Sequence, residues 1–163
     1  MDSPIPVRRK VRKGERGLTL VELIVAFTIM ALLTTMAVPL ARYKVRRDRE
    51  RELTLALREM RKAIDDYKDA ALAGKIEVKL GTDGYPETLD QLVQGVKLLQ
   101  SAEGKKIKFL RRIPIDPMTN SRDWGLRSEQ DDPASTSWGR QNVFDVYTKS
   151  TERARDGTLY SEW

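Results

Sequence analysis

Apolar residues crowd into one stretch near the start of the chain and then thin to a stripe. Leu18 to Ala41, LTLVELIVAFTIMALLTTMAVPLA, is 24 residues with one charge, Glu22. At about 1.5 Å rise per residue such a helix spans roughly 36 Å, enough for the hydrocarbon core of a bilayer with some tilt. A secretory h-region runs only about 7–15 residues, so the pattern predicts a retained transmembrane helix rather than a discarded signal. A buried core helix is the plain alternative, but it would be unusually long and apolar on all sides for so small a domain. From Arg42 the pattern changes to a charged helix in which Leu53, Leu57, Met60, Ile64, Tyr67 and Ala71 recur at spacings of 4, 3, 4, 3 and 4. That is one continuous amphipathic stripe. It lasts under three heptads and a small domain follows, so packing on a sheet of the same chain explains it better than a coiled-coil seam. Pro39 is the sole helix breaker between Leu18 and Ala73. One long helix is therefore expected, roughly 84 Å if unbroken, kinked or loosened at Pro39 and stopped near Gly74.

The remainder predicts a compact α+β unit. Thr88-x-x-Gln91 has the form of a capping box opening a short helix through Leu92 and Val93. Pro114, Pro117 and Asn120 mark a turn-rich region. Two strands are expected, Asp123–Ser128 and Asn142–Ser150, joined by the long polar loop SEQDDPASTSWGR. Asp156-Gly157 reads as a turn, and the terminal Trp163 is expected to pack back on the sheet. The fold class is thus α+β: a long N-terminal helix, transmembrane in its first half, packed on a small antiparallel sheet.

Charge sharpens the N-terminal reading. The chain has 30 Lys plus Arg, 24 Asp plus Glu, no His and no Cys. The missing Cys removes disulfides and thiolate chemistry, and the missing His removes imidazole bases and His-ligated zinc. Residues 1–17 hold six basic residues and two acidic ones, the pattern of a cytoplasmic segment before a membrane helix. Taking those away leaves 24 basic and 22 acidic side chains, so most of the net +6 belongs to the leader.

The junction Arg16-Gly17-Leu18-Thr19-Leu20-Val21-Glu22 carries the most specific signal. It resembles the type IV prepilin cleavage signature, in which a dedicated membrane peptidase cuts after the glycine and the apolar helix is kept. Leu18 departs from the usual first mature Phe but stays apolar. The resemblance implies cleavage between Gly17 and Leu18, N-methylation of Leu18, and a filament-assembly role for Glu22, whose carboxylate pairs with the new amine of a neighbouring subunit. Physics gives Glu22 an independent argument, because an acidic side chain in an apolar helix normally has a partner. The plain alternative is an interfacial Glu favoured by the dipole at a helix N-terminus.

The C-terminal half resembles the major pseudopilins of type II secretion systems, the general secretion pathway protein G group. The segments that carry this are YPETLDQLV (Tyr85–Val93), IPIDPMTNSRDWGLRSEQDD (Ile113–Asp132), SWGRQNVFDVYTKS (Ser137–Ser150) and DGTLYSEW (Asp156–Trp163). Absence of Cys favours this branch over true pilins with a C-terminal disulfide loop. The organisation implied is a prepilin leader (1–17), a transmembrane and filament-core helix (18–41), an amphipathic continuation (42–73) and a periplasmic α+β domain (74–163). The function implied is a structural, non-enzymatic subunit of a secretion pseudopilus in the bacterial inner membrane, with its leader in the cytoplasm. Its partners would be copies of itself in a helical homopolymer, the prepilin peptidase, an inner-membrane assembly platform and minor pseudopilins. A type IV pilus pilin, or a minor pilin-like protein for adhesion, motility or DNA uptake, is the alternative.

The resemblance also implies Ca²⁺ in the last loop, where Glu152 and Asp156 are the candidate side chains. Arg153 and Arg155 intrude there, so a metal-free loop closed by its own salt bridges stands beside that reading. An anchored enzyme would have to use Asp116, Asp123, Asp131, Asp132 or Asp145, and no spacing singles out a pair among these turn-prone residues. A nucleic-acid partner would use Arg42, Lys44, Arg46, Arg47, Arg49 and Arg51, but Asp48, Glu50 and Glu52 interleave at helix-pairing distance, which favours a solvated helix face.

Overall fold

The computed structural model describes residues 17, 19–99 and 104–163, those at 36–41 by their backbone alone. Helix α1 runs Leu20–Leu72, and α2 is Leu89–Gln94. The strands are β1 (Val96–Lys97), β2 (Lys106–Ile107), β3 (Gly125–Arg127) and β4 (Asp145–Tyr147), and a 3₁₀ turn closes the chain at Tyr160–Glu162. The chain divides into two compact units, Met1–Tyr43 and Lys44–Trp163. The helical assignment continues through 36–41, while the side chain of Pro39 lies outside the described residues, as does the expected kink there.

In the second unit the expected stripe is the core. Leu53, Leu57, Met60, Ile64 and Tyr67 are buried, and Ala71 is partly buried at its edge. Ala56, Ala63 and Ala70 widen it, their short side chains letting other elements approach the helix. Leu89, Leu92, Leu110, Trp124, Val143, Val146 and Tyr160 complete the cluster. The helix ends as expected: Gly74 takes a positive φ of 62°, and the Lys75 N–H returns to the Ala70 carbonyl at 3.0 Å.

The sheet differs from expectation. Among the described residues two two-stranded antiparallel sheets form, not one. β3 and β4 pair Gly125 with Tyr147, Leu126 with Val146 and Arg127 with Asp145, within the two expected segments but shorter than either. Beyond β3 the Ser128 N–H turns from the ladder to Asp131 Oδ2 (2.8 Å), and just past β4 the Thr148 hydroxyl donates to Asp116 (2.5 Å). The second sheet, β1 with β2, pairs Val96 with Ile107 and Lys97 with Lys106. Its signal was present in the alternation Lys106-Ile107-Lys108-Phe109, which has strand period.

The capping box before α2 is also revised. Thr88 is the N-cap residue, but its hydroxyl makes no capping bond. Gln91 Oε1 instead accepts the Glu87 N–H at 2.8 Å, one residue earlier than the motif requires. The Leu92 carbonyl then accepts both the Phe109 and Leu110 N–H groups at 3.0 Å, tying α2 to the segment after β2. Trp163 packs against the core edge-on to Tyr160, ring centroids 5.0 Å apart, as expected of the terminal aromatic.

Candidate functional site

The start of α1 is built by a cap that sequence reading overlooked. Thr19 Oγ1 accepts the Glu22 N–H at 3.3 Å, and the Thr19 carbonyl accepts the Leu23 N–H at 3.1 Å. Thr19-x-x-Glu22 is therefore an N-terminal capping arrangement, and it was legible as Thr followed three residues later by Glu. Glu22 lies in the first turn with its side chain exposed, where the positive end of the helix dipole also favours a carboxylate. Gly17 is exposed; Leu18, the proposed first mature residue, lies outside the described residues.

Behind Glu22 the helix is bare. Leu20, Val21, Leu23, Ile24, Val25, Phe27, Ile29, Met30, Leu32 and Leu33 are each between 45% and 75% exposed. At about 100° per residue these positions surround the whole helix rather than marking one face. Full burial of such side chains is worth roughly 1.5–3 kcal/mol each. With these ten side chains somewhat over half exposed, roughly 10–20 kcal/mol is left unrealised, comparable with the whole stability of an ordinary domain. Polar atoms in this stretch are satisfied within the helix: the Thr28 hydroxyl donates to the Ile24 carbonyl at 2.8 Å and the Thr34 hydroxyl to Met30 at 2.8 Å. Among the described residues no helix is long and apolar enough to cross a membrane. The fully described part of this stretch, 20–35, is sixteen residues, and the sequence continues apolar through 36–41.

The carboxylates considered for catalysis are each engaged in holding the fold. Asp116 is fully buried and accepts from the Met118 N–H and from the hydroxyls of Thr119 and Thr148. Asp123 pairs with Lys149 at 2.7 Å. Asp145 binds Arg61 at 2.7 Å and Arg127 at 3.3 Å. Asp132 caps the Ala134 N–H. Asp131 accepts the N–H groups of Gly139 and Ser128, which hold its carboxyl below the usual range.

In the last loop Asp156 Oδ1 accepts the Thr158 hydroxyl at 2.7 Å and the Thr158 N–H at 3.0 Å, which lowers its pKa. The Glu152 carbonyl accepts the Tyr160 N–H at 3.2 Å. Among the described residues no group of three or more acidic side chains gathers where it could hold a metal ion. At the base of the loop Arg46 pairs with Glu50 at 3.5 Å, and the Tyr160 hydroxyl sits between them, accepting from Arg46 Nε at 3.1 Å and donating to Glu50 at 2.7 Å. Burial, followed by the Glu50 hydrogen bond, raises the Tyr160 pKa. The basic run thus uses at least Arg46 for internal structure, a role its spacing did not reveal.

The prokaryotic N-terminal methylation motif matches residues 12–38, a span that contains Gly17, Leu18 and Glu22. No curated protein and no solved structure matches the chain.

Proposed function

We propose that the chain, which carries a type IV pilin-like prepilin signal at residues 12–38, is a structural, non-enzymatic filament subunit, and specifically a major pseudopilin of a type II secretion pseudopilus. The observation that carries this reading is the helix behind Glu22, apolar and exposed on every side and therefore in need of an apolar surround. Lipid supplies that surround before assembly, and the helices of other copies supply it afterwards. Prepilin peptidase removes residues 1–17 on the cytoplasmic side of the inner membrane, and Leu18 becomes the N-methylated terminus. The second unit stands in the periplasm and coats the filament. The pseudopilin assignment, rather than pilin, is supported by the lack of Cys and by the sequence resemblance of the C-terminal segments.

Glu22 is the assembly residue in this mechanism. Glu22 follows Leu18 by four positions, so the carboxylate and the new amine are near neighbours along the chain and can meet across adjacent copies. Pairing with a neighbour's amine neutralises two charges that an apolar filament core would otherwise hold unpaired, a cost of several kcal/mol per ion. Glu22→Ala is expected to insert in the membrane and be processed normally but to yield few filaments in shearing assays of the host. Wild-type filament yield from that variant would remove the role of Glu22.

A further inference from the structure

A calcium ion needs six to eight hard oxygen ligands, and residues 150–159 would have to provide most of them. In this loop several backbone carbonyls and Asp156 Oδ1 are already engaged by the protein's own donors, and of the two candidate side chains only the exposed Glu152 carboxylate stands outside that network. Arg153 Nη1 donates to the Gly157 carbonyl at 2.8 Å, and Arg46 Nη2 donates to the Arg153 carbonyl. The Ala154 carbonyl accepts the Gly157 N–H at 3.1 Å, and the Thr158 carbonyl accepts the Ala154 N–H at 2.7 Å. Asp156 is turned onto Thr158, whose hydroxyl in turn accepts Trp163 Nε1 at 3.1 Å. Two fixed positive charges therefore stand among the groups that a divalent cation would have to recruit. A guanidinium has only donors, so neither arginine can become a ligand, and each repels a cation. The residues present do not fit calcium.

We infer that the last loop is held closed by two guanidinium groups, Arg153 from within it and Arg46 from α1, and that its order is independent of calcium. Arg46 is suited to this task because it is itself fixed from two sides, by Glu50 one turn along α1 and by the Tyr160 hydroxyl. One side chain thus fastens the loop to the helix and to the 3₁₀ turn that follows the loop. A positioning role for Arg46 follows, and it stands whether or not the chain assembles as proposed above.

The test uses the full chain in detergent micelles. Terbium is the metal probe, since Trp163 and Tyr160 border the loop and would sensitise a lanthanide bound there. The expected result is no sensitised emission and identical melting in CaCl₂ and in EGTA. Arg46→Gln is expected to speed tryptic cleavage after Arg155 about tenfold or more, the scale of losing hydrogen bonds to a charged donor, and calcium is expected not to restore protection. If Arg46→Gln does not fold, Arg153→Gln serves with the same readout. Sensitised terbium emission displaced by Ca²⁺, a melting temperature raised by Ca²⁺, or wild-type cleavage in the arginine variant would each overturn the inference.

Discussion

Replacing Asp116 with Ala is the most informative single perturbation of the domain that the helix carries. The Asp116 side chain is fully buried and has three donors on it: the Met118 N–H at 2.8 Å, the Thr119 hydroxyl at 2.9 Å and the Thr148 hydroxyl at 2.5 Å. These are not equivalent. Thr148 is itself fully buried, so its hydroxyl loses a partner that water cannot replace, at a cost of about 1–3 kcal/mol. The Met118 N–H is only partly buried and Thr119 is exposed, so together they add roughly 1 kcal/mol. The total is about 3 kcal/mol, which for a unit of this size lowers the melting temperature by roughly 10 °C. Asp116→Asn keeps one carbonyl oxygen for Met118, and its amide can donate to the Thr hydroxyls, so about half the loss is expected. Melting followed by tryptophan fluorescence reads the right place, because buried Trp124 donates its indole N–H to the Pro114 carbonyl just before the turn. An Asp116→Ala protein that melts within about 2 °C of wild type would refute the reasoning, since the buried carboxylate would then not be what joins the turn to β4.

Two further outcomes follow from the same unit. A β-carbon at Gly125 would lie 2.3 Å from the Tyr147 ring, which is fixed by its hydroxyl on the Thr136 carbonyl and by Arg127 stacked 4.1 Å from its centroid; Gly125→Ala should cost about 1–3 kcal/mol in urea unfolding, and a neutral result would mean that the ring is free to move aside. Asp131 and Asp156 have folded pKa values below their unfolded ones, so the stability they add is present above about pH 4 and disappears as the pH falls through the lowered folded values. Melting from pH 7 down to pH 2 should show that acid-side loss, with a shallower fall in Asp131→Ala; parallel profiles would contradict the assignment.

What could be read in the sequence depended on how local each feature is. The stripe from Leu53 to Tyr67 needed only the period of one helix, and burial followed it residue by residue. Ala56, Ala63 and Ala70 escaped notice because alanine has no strong preference for core or surface, although they lie beside the same stripe. The Thr19 cap and the β1–β2 hairpin were local and legible; the first was masked by the cleavage motif around it, the second by a run of lysines. Asp116 with Thr148, and Arg46 and Glu50 with Tyr160, could not be read at all. Their partners lie 32, 114 and 110 residues apart, and composition carries no information about which turn meets which strand or helix. The N-terminal signal is the opposite case, a chemistry written wholly within residues 12–38.

The central claim is that this chain is cut after Gly17 and keeps its apolar helix. Mass analysis of the N-terminal peptide from protein isolated from its own host tests it most directly. The account predicts a peptide that begins at Leu18, heavier by one methyl group on its α-amine, with residues 1–17 gone. An intact terminus at Met1, or a cut beyond the apolar stretch at Ala41, would contradict it.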